Sequence, residues 1–215
     1  MKANRGHLNR DRILDTALRL ADLNGIEALS MRSLAGELGV KAMSLYNHVA
    51  NKESILDGLV ERVVEEIEVP DTNREWKVAM QDRAKSAHQA LRRHPWAILI
   101  LLTRSSAGPV MLRYINATLG CLRNAGFSYE IADHIWNAMD NHIYGFTLQE
   151  VNFPFESSTY ADVAQEFLPG ISREEYPYFT ELTTLIMERR YSGVHELDFG
   201  LDLILDALEK YRGVE

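Results

Sequence analysis

Ser30-Met31-Arg32-Ser33-Leu34-Ala35-Gly36-Glu37-Leu38-Gly39-Val40-Lys41-Ala42-Met43-Ser44-Leu45-Tyr46-Asn47-His48-Val49 is the stretch on which the fold of this chain turns. Ser30 is a helix-capping residue type, and Met31, Leu34, Ala35 and Leu38 recur at spacings of three and four on one face before Gly39 stops the helix. The segment spans about two turns. Beyond the glycine, Lys41 to Val49 predicts a third short helix, with Leu45 and Val49 as inward anchors and Ser44, Tyr46, Asn47 and His48 left largely outside. Two short helices joined by a turn containing glycine match the helix-turn-helix signature.

Working outward, Asn9 caps a helix over residues 10 to 24 in which Ile13, Leu14, Ala17, Leu18 and Ala21 form the apolar face, and Asn24-Gly25 ends it. Asn51 caps a fourth helix with Ile55, Leu56, Leu59, Val63 and Ile67 as its stripe, running to the break at Val69-Pro70. It is long enough to join two modules. Further helices are predicted over Arg74 to His94, Trp96 to about Arg104, Pro109 to Asn124, Ser128 to Phe153, Ser172 to Arg190 and His195 to Tyr211, with a short one around Tyr160 to Phe167. No segment alternates with period two for long enough to require a strand. The chain therefore reads as all-α, in two parts: a helix-turn-helix domain over residues 1–51 and a larger helical domain over residues 52–215.

The composition supports this reading. Of the 215 residues 46% are hydrophobic and 25% charged, and only six prolines and 13 glycines interrupt the chain. Collagenous and disordered classes are excluded. The single cysteine, Cys121, lies in an apolar helical pattern, so the expectation is a small buried hydrophobe in a reducing compartment. The basic N-terminus leads into an amphipathic pattern rather than a signal-peptide core, and the most apolar run, Trp96 to Leu102, is far shorter than the roughly 20 residues of a membrane span. A cytoplasmic protein with no membrane partner is expected. The net charge of -8 is unevenly placed: up to Ile55 there are eight Lys/Arg against six Asp/Glu, and the remainder carries 15 against 25. A head able to approach a polyanion is thus joined to an acidic body.

The run Leu34-Ala35, Leu38-Gly39-Val40, Leu45-Tyr46, His48-Val49 and Lys52 resembles the DNA-binding domain of the tetracycline-repressor family of transcriptional regulators. Glu75-Trp76, Ala84-Lys85-Ser86, Gly126-Phe127-Ser128 and His142 to Glu150 are similar to the C-terminal part of its tetracycline-repressor subgroup. The resemblance implies that Ala42, Met43 and Ser44 touch base edges, with methyl contacts from the first two, and that Tyr46, His48 and Lys52 reach phosphates. Arg32, Lys41 and Asn47 join that DNA-facing set. Taken singly, Tyr46 also suits packing between helices, and His48 or Lys52 a solvated surface; their joint spacing selects the DNA reading. Arg5, Arg10 and Arg12 form either a minor-groove arm or a basic tail.

The same resemblance implies a homodimer on a double-stranded palindromic operator, with reading heads roughly 34 to 36 Å apart. The helices 128–153 and 195–211 are the candidates for its seam, intramolecular core being the alternative for their apolar stripes. It also implies a ligand-responsive repressor, released from DNA by a small-molecule inducer held among the middle helices. Arg83, Thr103, Arg104, Tyr114, Thr118, Trp136 and Asp140 are the candidate contacts, Arg83, Thr118 and Trp136 foremost. Where the subgroup places a magnesium-holding histidine, this chain reads Ile98-Leu99-Ile100-Leu101, and Arg83 and Ala87 replace an amide and an aromatic, although Glu150 keeps an acidic position. The expected inducer is therefore apolar or amphipathic, or anionic if Arg83 or Arg104 points inward, with no cofactor and no metal. No HExxH or Cys/His framework marks an enzyme; His134 and His142 beside Asp133 and Asp140 are the nearest approach to a metal cluster.

Overall fold

The computed structural model describes residues 7–103, 108–154 and 159–213, and the regular structure among them is helical, without a strand. Helix α1 is Arg10–Asn24, α2 Met31–Leu38, α3 Ala42–Leu45 and α4 Lys52–Glu65; α5 is Trp76–Arg93, α6 Trp96–Thr103, α7 Pro109–Asn124 and α8 Tyr129–Val151; α9 is Tyr160–Phe167, α10 Pro177–Met187 and α11 Leu197–Leu208. Arg10 and Arg12, candidates for a flexible arm, lie in the first turn of α1, and Arg5 is outside the described residues.

The head is built by its caps. Asn9 Oδ1 accepts the Arg12 N–H at 2.9 Å, Ser30 and Ser33 cap one another reciprocally across the start of α2, and Asn51 and Ser54 do the same for α4. Each such cap stabilises its helix by about 1 kcal/mol. Gly39 takes φ 67°, ψ 32°, the left-handed conformation that closes α2, and its N–H returns to the Ala35 and Gly36 carbonyls. α3 is shorter than its pattern predicts: regular helix stops at Leu45, and the chain coils on through turn bonds from His48 and Val49 N–H to the Leu45 carbonyl. The next cap, Asn51, needs extended backbone, so the helix cannot continue into it. Buried Leu34, Leu38, Leu45 and Val49 pack with Ile13, Leu14 and Ala17 of α1. A Cβ at Gly58 would lie 2.6 Å from Leu14 Cδ2, so a glycine is what lets α4 approach α1 this closely.

Helix α4 serves both halves. Its buried Ile55, Leu59, Val63 and Val64, with Ile67 just beyond, belong to one continuous core, and the helix packs on α1 of the head and on α5, α6 and α7 of the body. It also caps a neighbour: the Glu61 carboxylate accepts the backbone N–H groups of Val110 and Met111 at 2.9 and 3.0 Å, an anion at the N-terminus of α7. The predicted run to Val69 stops at Glu65 because Glu66 turns to meet side chains from the end of α5. In the body, α5 and α7 pack on α8, and α11 lies over α8 and α5, while α9 and α10 pack on each other.

Two further boundaries differ from the pattern. Ser172 starts a separate turn, accepting the Glu175 N–H, and α10 begins only at Pro177, whose missing N–H suits a first helical position. α11 starts at Leu197 rather than His195. The larger correction concerns the stripes assigned to the dimer seam: Ile135, Met139 and Ile143 of α8 and Leu201 and Leu205 of α11 are buried inside the single chain. What these helices turn outward is a different set, with Phe199 70% and Leu203 60% exposed.

Candidate DNA-reading surface and ligand cavity

Leu45 and Val49 are buried, which forces the intervening side chains of the α3 turn outward. Met43 is 74% and Tyr46 46% exposed, and Arg32, Lys41 and Asn47 are exposed too, while Ala42, Ser44, His48 and Lys52 are half-buried at the edges of the same surface. Tyr46 is thus at the surface rather than wedged between helices. Among the described residues the side chains of Arg32, Lys41 and Lys52 have no hydrogen-bond or ion-pair partner, whereas Arg19 pairs with Glu37, Arg62 with Asp11, Lys77 with Asp206 and Lys85 with Asp198. Cations left unneutralised around a convex turn of small and apolar side chains make a surface suited to phosphates at its rim and base edges at its tip. Lys52 sits in the first turn of α4, beside amide groups that themselves favour an anion.

In the body a cavity of about 320 Å³ opens between α4, α5, α6, α7 and α8. Its apolar walls come from Val64 and Ile67, Ala87, Leu101 and Leu102, and Met111 and Ile115; its polar and aromatic wall comes from Tyr114 and, on α8, Asp133, Trp136, Asn137, Asp140, Asn141 and Tyr144. The volume lies at the lower end of the range of small-molecule sites.

Behind this wall stands Arg83, with no exposed surface. Its Nη2 donates to Asp140 Oδ1 at 2.5 Å, and the Tyr144 hydroxyl donates to Asp140 Oδ2 at 3.1 Å. The guanidinium carbon lies 4.9 Å from the centre of the Tyr114 ring, a cation–π contact. Burial works against the Arg83 charge, but Tyr114 and Asp140 more than offset it and raise the pKa. Burial also pushes both Tyr114 and Tyr144 well above the ordinary phenol range, so both stay neutral and Asp140 is the counter-ion that matters. Nε and Nη1 of Arg83 and Nε1 of Trp136 are buried without a partner among the described residues.

Of the seven predicted ligand contacts, the structure brings Tyr114, Trp136 and Asp140 onto the cavity. Arg83 acts through Asp140 and Tyr114 and is not itself in the lining. Thr118 is buried with its hydroxyl on the Tyr114 carbonyl, and Thr103, exposed at the end of α6, is bonded to the Leu99 carbonyl; neither lines the cavity. Arg104 lies outside the described residues. Glu150 is elsewhere, held at 2.6 Å by His88. His142 is engaged with the Leu197 carbonyl at 3.0 Å, and the described residues contain no cluster of three or more His, Cys, Asp or Glu able to hold a metal. Cys121 is buried, and burial pushes its thiol up. Tyr144 and Asn141 were missed by the sequence reading, although they stand four residues beyond Asp140 and Asn137 respectively and so follow from the helical register of α8.

A helix-turn-helix head on a helical body that holds a cavity defines a DNA-binding regulator of the two-part helical kind. The comparisons with known proteins specify which. Residues 13–59 match the model of bacterial regulatory proteins of the tetR family, and residues 69–212 match the tetracyclin repressor-like C-terminal domain, so the chain belongs to the tetracycline-repressor family. It is 30% identical over 216 residues to the class C tetracycline repressor protein of Escherichia coli, across 95% of this chain and 92% of that one. The HTH-type transcriptional repressor DrrR1 of Streptomyces coeruleorubidus is 34% identical over 123 residues, 56% of this chain, and the match spans about half of DrrR1, 46% of its length. The crystal structure of the family member ActR of Streptomyces coelicolor in complex with actinorhodin superposes with a TM-score of 0.78 at 27% identity, covering 98% of this chain and all of that one. No helix among the described residues is long and apolar enough to cross a membrane.

Proposed function

We propose that this protein is a transcriptional repressor that binds a palindromic operator as a homodimer and leaves it when a small molecule fills the cavity between α4 and α8. Residues up to Asn51 read DNA and the rest senses the ligand and dimerises. The observation that carries this reading is the double service of α4. Lys52 at its start stands beside the DNA-reading turn, and Val64 near its end, with Ile67 just beyond, forms the cavity wall. Its 14 residues span about 21 Å, so a shift at one end moves the other as a rigid lever. A ligand that prefers the shifted state changes the spacing of the two heads and weakens DNA binding by its differential affinity for the two states.

The outward faces of α8 and α11 supply the dimer seam. Phe199 and Leu203 stand one turn apart on α11, and Ala138 and Gly145 on α8 are small and exposed, a surface that admits a partner helix closely. For the inducer, the Arg83 charge is already met by Asp140, so among the described residues the wall offers no free cation to an acid. Three aromatic side chains, two amides and the unpartnered Trp136 Nε1 favour a neutral, planar, largely apolar molecule bearing a hydrogen-bond acceptor. ActR, a relative of the same fold, holds a small molecule, actinorhodin, in its crystal structure.

The test is capture of genomic fragments, beginning with the DNA beside the gene, at two salt concentrations. One palindromic site retained at the higher salt is the expected result; absence of duplex affinity even at low salt refutes the reading.

A further inference from the structure

At the junction of head and body a buried histidine bridges two carboxylates. His94, 5% exposed, follows the last residue of α5. Its Nδ1 lies 2.7 Å from Asp22 Oδ1 on α1, and its Nε2 lies 3.1 Å from Glu66 Oε1 just past α4. Trp96, the first residue of α6, donates its indole N–H to the same Asp22 oxygen at 2.8 Å, and Arg93 holds the second Glu66 oxygen through Nε and Nη2 at 3.0 and 2.6 Å. Four elements therefore meet on one imidazole.

The donor count sets what each protonation state can hold. A neutral imidazole has one N–H and one lone pair, so it can donate to only one of the two carboxylates and turns a lone pair on the other. Only the imidazolium donates to both. The charge balance agrees: Asp22, Glu66 and Arg93 leave the cluster one unit negative, and the imidazolium neutralises it. Burial opposes the Glu66 charge, but Arg93 and His94 outweigh it and hold that carboxyl below its ordinary range. Nearby charges are spent elsewhere, Glu65 on Arg62, Arg19 on Glu37 and Arg92 on Glu150, and α6 carries no ionisable side chain.

The position of the cluster gives it a consequence. Glu66 lies between Val64 and Ile67, and Trp96 opens the helix that carries Leu101 and Leu102; all four of those apolar residues line the cavity. Asp22 belongs to the first helix of the head. We propose that Asp22, His94 and Glu66 form a proton-dependent latch that docks the DNA-binding head on the cavity wall, and that its release at higher pH lowers operator affinity. The operator part of this inference rests on the repressor reading above; the docking part stands without it.

The experiment uses the full chain, with Asp22→Asn, which keeps the shape of the side chain, beside His94→Gln. Side-chain ¹⁵N NMR between pH 6 and 8.5 reads the protonation of His94 directly: two protonated nitrogens are expected at the low end, and a neutral tautomer throughout overturns the latch. Hydrogen exchange over the last turn of α1, corrected for intrinsic rates, is expected to rise at least fivefold between pH 6 and 8.5 in the natural chain and to be fast and nearly pH-independent in both variants. Equal profiles in the natural chain and in His94→Gln overturn it. Operator affinity should fall about fivefold or more over the same range only in the natural chain, a coupling of ordinary allosteric size. The pH dependence shared by all three chains belongs to other groups. Failure to bind any operator refutes the repressor reading, while exchange and NMR still decide the latch.

Discussion

Asp140→Asn keeps the size of the side chain and removes the only anion bonded to the Arg83 guanidinium among the described residues. Arg83 has no exposed surface, and Nε and Nη1 already lack partners, so the cation cannot turn to water for compensation. Breaking a buried pair by removing one partner costs about 3 to 5 kcal/mol. The amide that replaces the carboxylate would retain one acceptor for Arg83 and lose the charge assistance, and the Tyr114 ring still faces the cation, which places the expected loss near the lower end, about 3 kcal/mol. For a chain of this length that corresponds to a fall in Tm of roughly 6 to 12 °C. The assay is thermal unfolding followed by circular dichroism at fixed protein concentration, since association also shifts Tm. A second variant separates charge from packing: Arg83→Met in the Asp140→Asn background removes the stranded cation and should recover most of the loss. A fall below about 2 °C in the single variant would refute the reasoning, because it would mean that the guanidinium finds solvent within the folded body.

Three other outcomes follow from the same contacts. Lys52→Ala should weaken operator binding about equally across sequences and reduce the slope of log affinity against log salt by about 0.9, as loss of one phosphate contact requires; an unchanged slope removes Lys52 from the interface. Phe199→Glu with Leu203→Glu should yield a folded monomer in sedimentation, whereas Leu201→Asp, at a position buried within the protomer, should unfold the chain; a dimer surviving the first pair moves the seam elsewhere. Because the folded-state pKa of Glu66 is depressed, its contribution to stability is present above the unfolded value and is lost as pH falls through the folded one. Glu66→Gln should therefore flatten the decline of Tm below about pH 4.5, and an identical acid limb in both proteins would show that its pairing does not survive in solution.

How far each feature could be read from the chain depended on the range of the forces that set it. The caps Asn9, Ser30, Asn51 and Ser128, the glycine stop at Gly39 and the three-and-four spacing of apolar residues act within one or two turns, and the helices they delimit stand in the structure near their expected places. Where a boundary moved, a neighbouring cap, a proline or a distant side chain had moved it. α4 ends early because its next residue is caught by Arg93 and His94 from α5, and the α3 turn is cut short by the demands of the Asn51 cap. The outward face of the α3 turn was legible because it is local, nine residues anchored by the buried Leu45 and Val49. The cavity was legible only in part: Tyr114, Trp136 and Asp140 reach it, while Thr118 and Thr103 return to their own helix carbonyls, a choice that hydroxyl side chains make within a turn whatever the helix faces.

The sequence by itself determined an all-helical chain, a helix-turn-helix head less acidic than its body, and the family to which both belong, since all three are written in local spacing and in composition. Only the tertiary structure decided that Leu201, Leu205, Ile135 and Met139 are core and Phe199 and Leu203 are surface, that Arg83 is spent on Asp140, and that His94 stands between Asp22 and Glu66, 72 and 28 residues away along the chain. Helical periodicity reports that a helix has an apolar face, but the direction in which that face points, and which charge meets which, is set by the packing of helices far apart in sequence.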